Sequence, residues 1–412
     1  MERKETPKTA CIVSTGDELL LGTIVDTNAA FVAARLREHG VSLLRIISVG
    51  DDVGNIAAAL TEACLLADLV VVSGGLGSTT DDVTAQAAAQ AFDVPLIRSA
   101  AAERMVLNAF SRFSRTVPEC NLKQALLPEG AEVVPNEVGT APGFALATRR
   151  GRAVFLPGVP VELQAMWNFV AQEYLPGGKE RPRVVLSCFG MGESAIQEKL
   201  APLTAQFPKI RVSYRAVFPE TFVGFGGDDA AAVNDVAKKA QSIIGEPVFD
   251  EHGRSLPQAV GERLRDLKLS CGVAESCTGG LVAGLLTREP GASAFFRGGI
   301  VAYSNDVKMS LLGVSKDDLK AVGAVSEQVA RSMALGARQA LGADVAVSTT
   351  GIAGPDGATK DKPLGLVHFA IAFPDRTAHY SHVFNGYERP RVQRAAAFKA
   401  LGFLLAAIRE TT

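Results

Sequence analysis

Short apolar runs, each closed by a polar glycine-bearing turn and followed by a helix-length stretch, recur along this chain. The clearest is residues 69–72 (LVVV), which end at Ser73-Gly74-Gly75-Leu76-Gly77. Residues 10–13 lead into Ser14-Thr15-Gly16-Asp17-Glu18, and residues 41–49 close at Gly50-Asp51-Asp52, with helical patterning over 27–38 and 55–66. Strands that alternate with helices of about 10–15 residues make βαβ units, and those units build a parallel sheet. Ligands of such sheets sit beyond the carboxyl ends of the strands, where the turns at Gly16 and 74–77 fall. The pattern predicts an α/β protein.

With 412 residues the chain exceeds one hydrophobic core, and three segments are expected. The first covers residues 1–175. The second, 178–250, opens after the linker-like Tyr174-Leu175-Pro176-Gly177-Gly178-Lys179 and reads as a small α+β module, a spacer or dimerisation domain. The third, 253–412, returns to strand and helix alternation. A net charge of −2 with no long basic run gives nucleic-acid binding no electrostatic support. No apolar run approaches the roughly 18–20 residues of a membrane span, and the opening residues lack a signal-peptide core, so a cytoplasmic protein is expected. Six cysteines without a CxxC pair argue against zinc and a disulfide framework.

The third segment carries the most reactive pattern. Residues 269–274 (LSCGVA) read as a buried strand, 275–280 (ESCTGG) as a turn and 281–287 (LVAGLLT) as a helix. Ser276 at such a turn is either an N-cap or a nucleophile. As nucleophile it would use unpaired amides around Cys277–Gly280 to hold an oxyanion. Cys277, beside it, is a second and weaker nucleophile candidate. The base is harder to find: His368 lies in an apolar run and reads as a packed core histidine, His379 and His382 read as solvent-facing, and no GxSxG signature occurs. Lys308, in 302–308 (AYSNDVK), is either a surface lysine opening a helix or, with a lowered pKa, a general base.

Four motifs in order, 275–280 (ESCTGG), 303–308 (YSNDVK), 323–327 (GAVSE) and 350–357 (TGIAGPDG), resemble the C-terminal domain of the CinA family. That domain also occurs alone as a bacterial nicotinamide mononucleotide deamidase. The resemblance implies amide hydrolysis by a Ser/Lys pair: nicotinamide mononucleotide gives nicotinate mononucleotide and ammonia, with no cofactor. It implies Ser276 as nucleophile, Lys308 as base, Tyr303 as a pocket or proton-network residue, and Thr350 with Gly351 opposite the nucleophile. Glu275, Cys277, Thr278, Gly279 and Gly280 would surround the substrate. Arg389 and Arg394, in 386–394 (GYERPRVQR), would hold its phosphate, although Tyr387-Glu388 replace the single Asp expected before the arginine.

The first segment resembles the family's other half, a molybdopterin-binding-type domain similar to MoaB and MogA. The matching residues are 14–22 (STGDELLLG), Asp26-Thr27-Asn28, Gly50-Asp51-Asp52, 74–82 (GGLGSTTDD), 139–143 (GTAPG) and 156–162 (LPGVPVE). The fold expected is therefore a MogA-like parallel-sheet domain, a small α+β middle module and an α/β CinA C-terminal domain, assembled as a homodimer. In CinA-type chains the first domain is associated with metal-dependent hydrolysis of ADP-ribose. Gly74, Gly75 and Gly77 suit a phosphate cradle. Asp81 and Asp82 suit a divalent cation or, alternatively, helix N-caps. Asp17, Glu18 and Asn28 complete the expected nucleotide site. Competing readings are a non-catalytic competence or damage accessory protein, a chain in which the N-terminal domain alone turns over, and a molybdopterin-biosynthesis protein.

Overall fold

The computed structural model describes residues 6–112 and 116–410. The first five residues of the first segment and the last two of the third thus lie outside the described residues. Two compact units result, Met1–Arg181 and Pro182–Thr412.

In the first unit, strands Ser42–Val49, Thr9–Thr15, Leu69–Ser73 and Arg152–Leu156 run parallel in that order. Gly143–Ala147 and Glu132–Val134 extend the sheet antiparallel, so it is mixed where the sequence suggested parallel strands alone. All five residues of Leu69–Ser73 are buried, as a central strand covered on both faces requires. One face packs Val70, Val72, Phe144 and Phe155 against Ile56 and Leu60. The other packs Val71 and Ile12 against Val32, Leu36 and Trp167. Pairing of Ser14 with Ser73 sets two strand ends side by side and delivers their turns to one edge.

The second unit contains two sheets. Strands Arg211–Val217, Glu220–Gly226, Arg183–Phe189 and Val248–Asp250 form an antiparallel sheet, backed by helices Glu193–Gln206 and Ala230–Ile244 around their own core. This is the middle segment, and it is no free-standing spacer. Its Glu220 carboxylate accepts from the Leu256 amide at 2.6 Å, and its Phe218 carbonyl accepts from Arg394 Nε at 2.8 Å.

The larger sheet has the order Phe296–Val301, Cys271–Glu275, Val345–Gly351, Leu366–Ala372, Thr377–Val383; the first three are parallel and the rest antiparallel. Helices Leu256–Asp266 and Arg389–Arg409 cover one face, burying Val273, Val347 and Phe369. Asn305–Leu312 and Glu327–Ala340 cover the other, over Ala274 and Ala346. Among the described residues no helix is long and apolar enough to cross a membrane.

Candidate active sites

Ser276 follows the last residue of the central Cys271–Glu275 strand. Its amide donates to the Thr349 carbonyl at 2.9 Å, which continues the parallel pairing of Glu275 with Thr349 for one more residue. The N-cap reading fails: the helix begins at Leu281, and its N-cap is Gly280 with no side-chain cap. The helix amides belong to Glu275 instead. Its buried carboxylate accepts from Gly280 N at 2.9 Å, Val282 N at 3.0 Å and Ala283 N at 2.8 Å. Glu275 therefore holds the turn. Gly279 and Gly280 take φ of 63° and 99°, a left-handed path that favours glycine. The turn folds so tightly that the Gly279 amide donates to the Ser276 carbonyl. Among the described residues, the amides of Cys277 and Thr278 are left with no carbonyl or carboxylate partner, which narrows the expected oxyanion donors from four to these two.

Lys308 lies on the Asn305–Leu312 helix, capped by Ser304, and is 1% exposed, so it is no surface lysine. Its Nζ is 3.0 Å from Ser276 Oγ, 2.7 Å from the Ala302 carbonyl and 3.1 Å from the Tyr303 carbonyl. Those carbonyls follow the Phe296–Val301 strand, pinned beside Ser276 by Ala302 N donating to the Glu275 carbonyl at 2.8 Å. A neutral amine has two N–H groups and one lone pair. Two carbonyl acceptors use the N–H groups, and the lone pair is left for the Ser276 hydroxyl. Burial pulls the Lys308 pKa below the ordinary lysine value, against a smaller opposing influence of Cys277. Cys277 itself is buried, and burial pushes its thiol up to about 12, the wrong direction for a nucleophile.

The surrounding residues are distributed differently from expectation. Tyr303 serves Lys308 through its carbonyl; the residue is 63% exposed and its hydroxyl accepts from Arg389 at 3.1 Å. Arg389 also donates to the Gly354 carbonyl at 2.7 Å, which places it at the rim of this site. Arg394 is turned to Phe218 and the Phe398 ring and is not brought to Ser276. Thr350 Oγ1 donates to the Ala324 carbonyl at 2.7 Å. Its neighbour Thr349 meets the nucleophile turn, 2.7 Å from the Thr278 hydroxyl. Thr278 is thus a buried tie between turn and strand. Gly351 lacks a side chain for packing: a Cβ there would lie 2.6 Å from the Leu366 carbonyl. Gln393, which the sequence reading missed, donates from Nε2 to the Cys277 carbonyl at 2.9 Å. Its one signal was its place between the two arginines. His379 is not solvent-facing. It stacks on His368 with Nε2 2.9 Å from Nδ1, and its other nitrogen is 3.4 Å from Glu327. Neither histidine makes a described contact with Ser276.

In the first unit, the 74–77 turn lines a cavity of about 560 Å³ together with Thr15, Gly16, Glu18, Asp51, Asp81, Asp82 and Glu162. Gly74 and Gly75 have φ of 113° and 64°, and a Cβ on Gly75 would sit 2.2 Å from Thr84 Oγ1. Among the described residues the amides of Gly75, Leu76, Gly77 and Ser78 have no hydrogen-bond partner, as a cradle for phosphate needs. Asn28 stands behind this cavity as a brace, donating to Ser73 Oγ at 2.9 Å and to the Gly158 carbonyl at 2.7 Å. Asp82 accepts from the Thr79 amide and hydroxyl at 2.8 and 2.5 Å. Neither Asp81 nor Asp82 caps the following helix, whose N-cap is Val83. Asp17 and Asp51 exchange backbone and side-chain bonds at 3.0 and 3.1 Å. Burial, then the negative charges of Asp17, Glu18 and Asp81, raises the Asp51 pKa, so carboxylates crowd this mouth. Asp51 is a cavity residue that the sequence reading matched but did not place in the site. Among the described residues no three His, Cys, Asp or Glu side chains converge as a metal centre.

Two family models match the chain: "Probable molybdopterin binding domain" over residues 11–177 and "CinA C-terminal domain" over residues 253–408. A CinA-like protein of Anaeromyxobacter dehalogenans is 42% identical over 405 residues, spanning 97% of this chain and 99% of that protein. One of Desulfosudis oleivorans is 41% identical over 403 residues, 95% of this chain and 97% of its own length. A crystal structure of the protein CinA from Thermoplasma acidophilum is 35% identical and covers 40% of this chain and 99% of its own, with a TM-score of 0.39. With both domain types in order and such identity held along nearly the whole length of full-size relatives, the chain belongs to the CinA family.

Proposed function

We propose that the second unit is a nicotinamide-nucleotide amidohydrolase that converts nicotinamide mononucleotide to nicotinate mononucleotide and ammonia. The observation that carries the reading is a buried lysine amine 3.0 Å from a serine hydroxyl at the carboxyl end of a central strand. Neutral Lys308 takes the Ser276 proton as Oγ attacks the carboxamide carbon. The amides of Cys277 and Thr278 receive the oxyanion; one such donor is typically worth about 3–4 kcal/mol in the transition state. Collapse of the intermediate breaks the C–N bond, and Lys308 returns the proton to the departing ammonia. Water, deprotonated by the same amine, then releases the acid and restores the serine. Arg389 at the rim is the cation we assign to the substrate phosphate.

We propose a second site in the first unit, where the unpaired 75–78 amides hold a nucleotide phosphate and the neighbouring carboxylates hold a divalent cation. A hard cation bound by one or two carboxylates plus substrate phosphates needs no three-ligand protein cage, and Asp51, Glu18 and Asp81 supply the charge. Such a cation would neutralise a pyrophosphate and lower the pKa of a bound water, which suits hydrolysis of ADP-ribose. A homodimer is proposed with it and is read by sedimentation.

The test is ammonia release from nicotinamide mononucleotide by the purified chain, beside Ser276→Ala and Lys308→Met. Release that both substitutions abolish in folded protein supports the Ser/Lys reading. No release from the parent chain sinks it, and ADP-ribose with magnesium becomes the assay that decides the function.

A further inference from the structure

Within the second unit, a cavity of about 570 Å³ lies between the four-stranded module and the start of the Arg389–Arg409 helix. That volume falls in the range of about 300–1,000 Å³ common to small-ligand sites. It is separate from the nucleophile. Arg391, Ala395 and Lys399 line it at a spacing of four residues, one stripe of the helix. Gln393 and Arg389 occupy another stripe and face Cys277 and Tyr303.

The walls are aromatic. Phe218 and Tyr387 meet edge to face at 5.5 Å, and Tyr387 stacks on Phe384 at 6.4 Å. The Arg391 guanidinium lies 4.5 Å from the Phe218 ring centre and 5.0 Å from that of Tyr387. Lys399 Nζ is 5.6 Å from the Phe189 ring centre. Two carboxylates also line the cavity, and neither pairs with these cations. Glu220 is committed to the Leu256 amide, and Glu193 opens the Glu193–Gln206 helix. Among the described residues Arg391 and Lys399 form no ion pair. Burial lowers the Lys399 pKa. Two uncompensated cations beside flat apolar walls are complementary to one ligand chemistry, an aromatic ring joined to an anion.

We propose that this cavity binds a planar aromatic phosphate or carboxylate of mononucleotide size, with its ring against Phe218, Tyr387 and Phe384 and its anion on Arg391 and Lys399. The site is distinct from Ser276 and from the 74–77 cradle, and it does not depend on what either of them turns over.

The test is isothermal titration of the full chain with adenosine 5′-monophosphate, and separately with adenosine and with inorganic phosphate. Arg391→Ala and Phe218→Leu should each weaken adenosine monophosphate binding by about 10-fold or more, as loss of a charged contact or a ring contact does. Ser276→Ala and Gly75→Ala, which alter the other two sites, should leave this binding event unchanged. Adenosine and phosphate alone should bind more weakly than the nucleotide. Thermal melting reports that each variant is folded, and Arg391→Lys should recover part of the affinity. The proposal is overturned if no binding occurs at millimolar nucleotide, if folded Arg391→Ala binds as the parent does, or if Ser276→Ala or Gly75→Ala removes the binding event.

Discussion

After Leu69–Ser73 and after Cys271–Glu275 the chain makes the same local move: a buried strand, a glycine turn with positive φ, then a helix. The two turns differ in what meets the amides that follow the strand. In the second unit Glu275 turns inward and takes three of them, so the turn is rigid and its remaining business is to present a hydroxyl. In the first unit no side chain caps the Thr84–Phe92 helix, the 75–78 amides have no partner among the described residues, and acidic side chains line the cavity mouth. A carboxylate turned into the core in one unit and carboxylates left at the cavity mouth in the other separate the two turns. A strand-turn-helix pattern therefore fixes where a ligand can approach and leaves the character of the turn to the side chain that meets its amides.

The largest test of that difference removes the base. Lys308→Met should lower kcat for ammonia release by about 10³-fold or more, with ADP-ribose or nucleotide binding in the first unit untouched. Next, Gly75→Ala should cost about 10–100-fold in nucleotide affinity at the first site, because its Cβ meets Thr84 Oγ1 and φ is positive. Deamidation should continue in that variant, read by the same ammonia assay. Arg389→Ala should raise KM about 10-fold with a smaller change in kcat, whereas Arg394→Ala should act on the melting of the second unit and spare KM. Glu275→Ala should destabilise the second unit by about 2–4 kcal/mol in denaturant melts, since three amides lose a charged acceptor.

The smallest effect concerns pH. Lys308 must be neutral to act, so kcat/KM should rise with pH through an inflection below the ordinary lysine range. The sign for stability is the same. Between the lowered folded pKa and the ordinary value the unfolded chain binds more protons, so stability rises with pH across that window. Lys308→Met should flatten both profiles. An unchanged stability profile in that variant would break the link between burial and basicity.

Much of this was legible in the sequence. Helices Thr27–Glu38 and Leu281–Thr287 fall where the sequence put them, and Ser276 and Lys308 meet although 32 residues apart. What sequence left hidden is which atom of a residue faces which neighbour. Central strands are buried on both faces, so alternation carries no signal there, and Thr349 could not be told from its neighbour Thr350. Tyr303 was read as a pocket or proton-network residue, and it is the Tyr303 carbonyl that accepts from Lys308. Glu275 looked like a polar residue of a site because a buried carboxylate can be recognised only once its amide partners are located. Gln393 comes from a helix 116 residues away in sequence, and no local pattern reports that contact.

The thiol next to the nucleophile has a consequence for durability. Burial pushes the Cys277 thiol up to about 12, which keeps it protonated at neutral pH, and oxidants and alkylating agents attack the ionised form. Cys120, exposed on the surface of the first unit, would be consumed first. A hydroxyl and an amine do not climb the sulfur oxidation ladder. If the proposed serine attack is right, the deamidase should keep its turnover under oxidative conditions that disable thiol hydrolases, read by the ammonia assay after peroxide treatment.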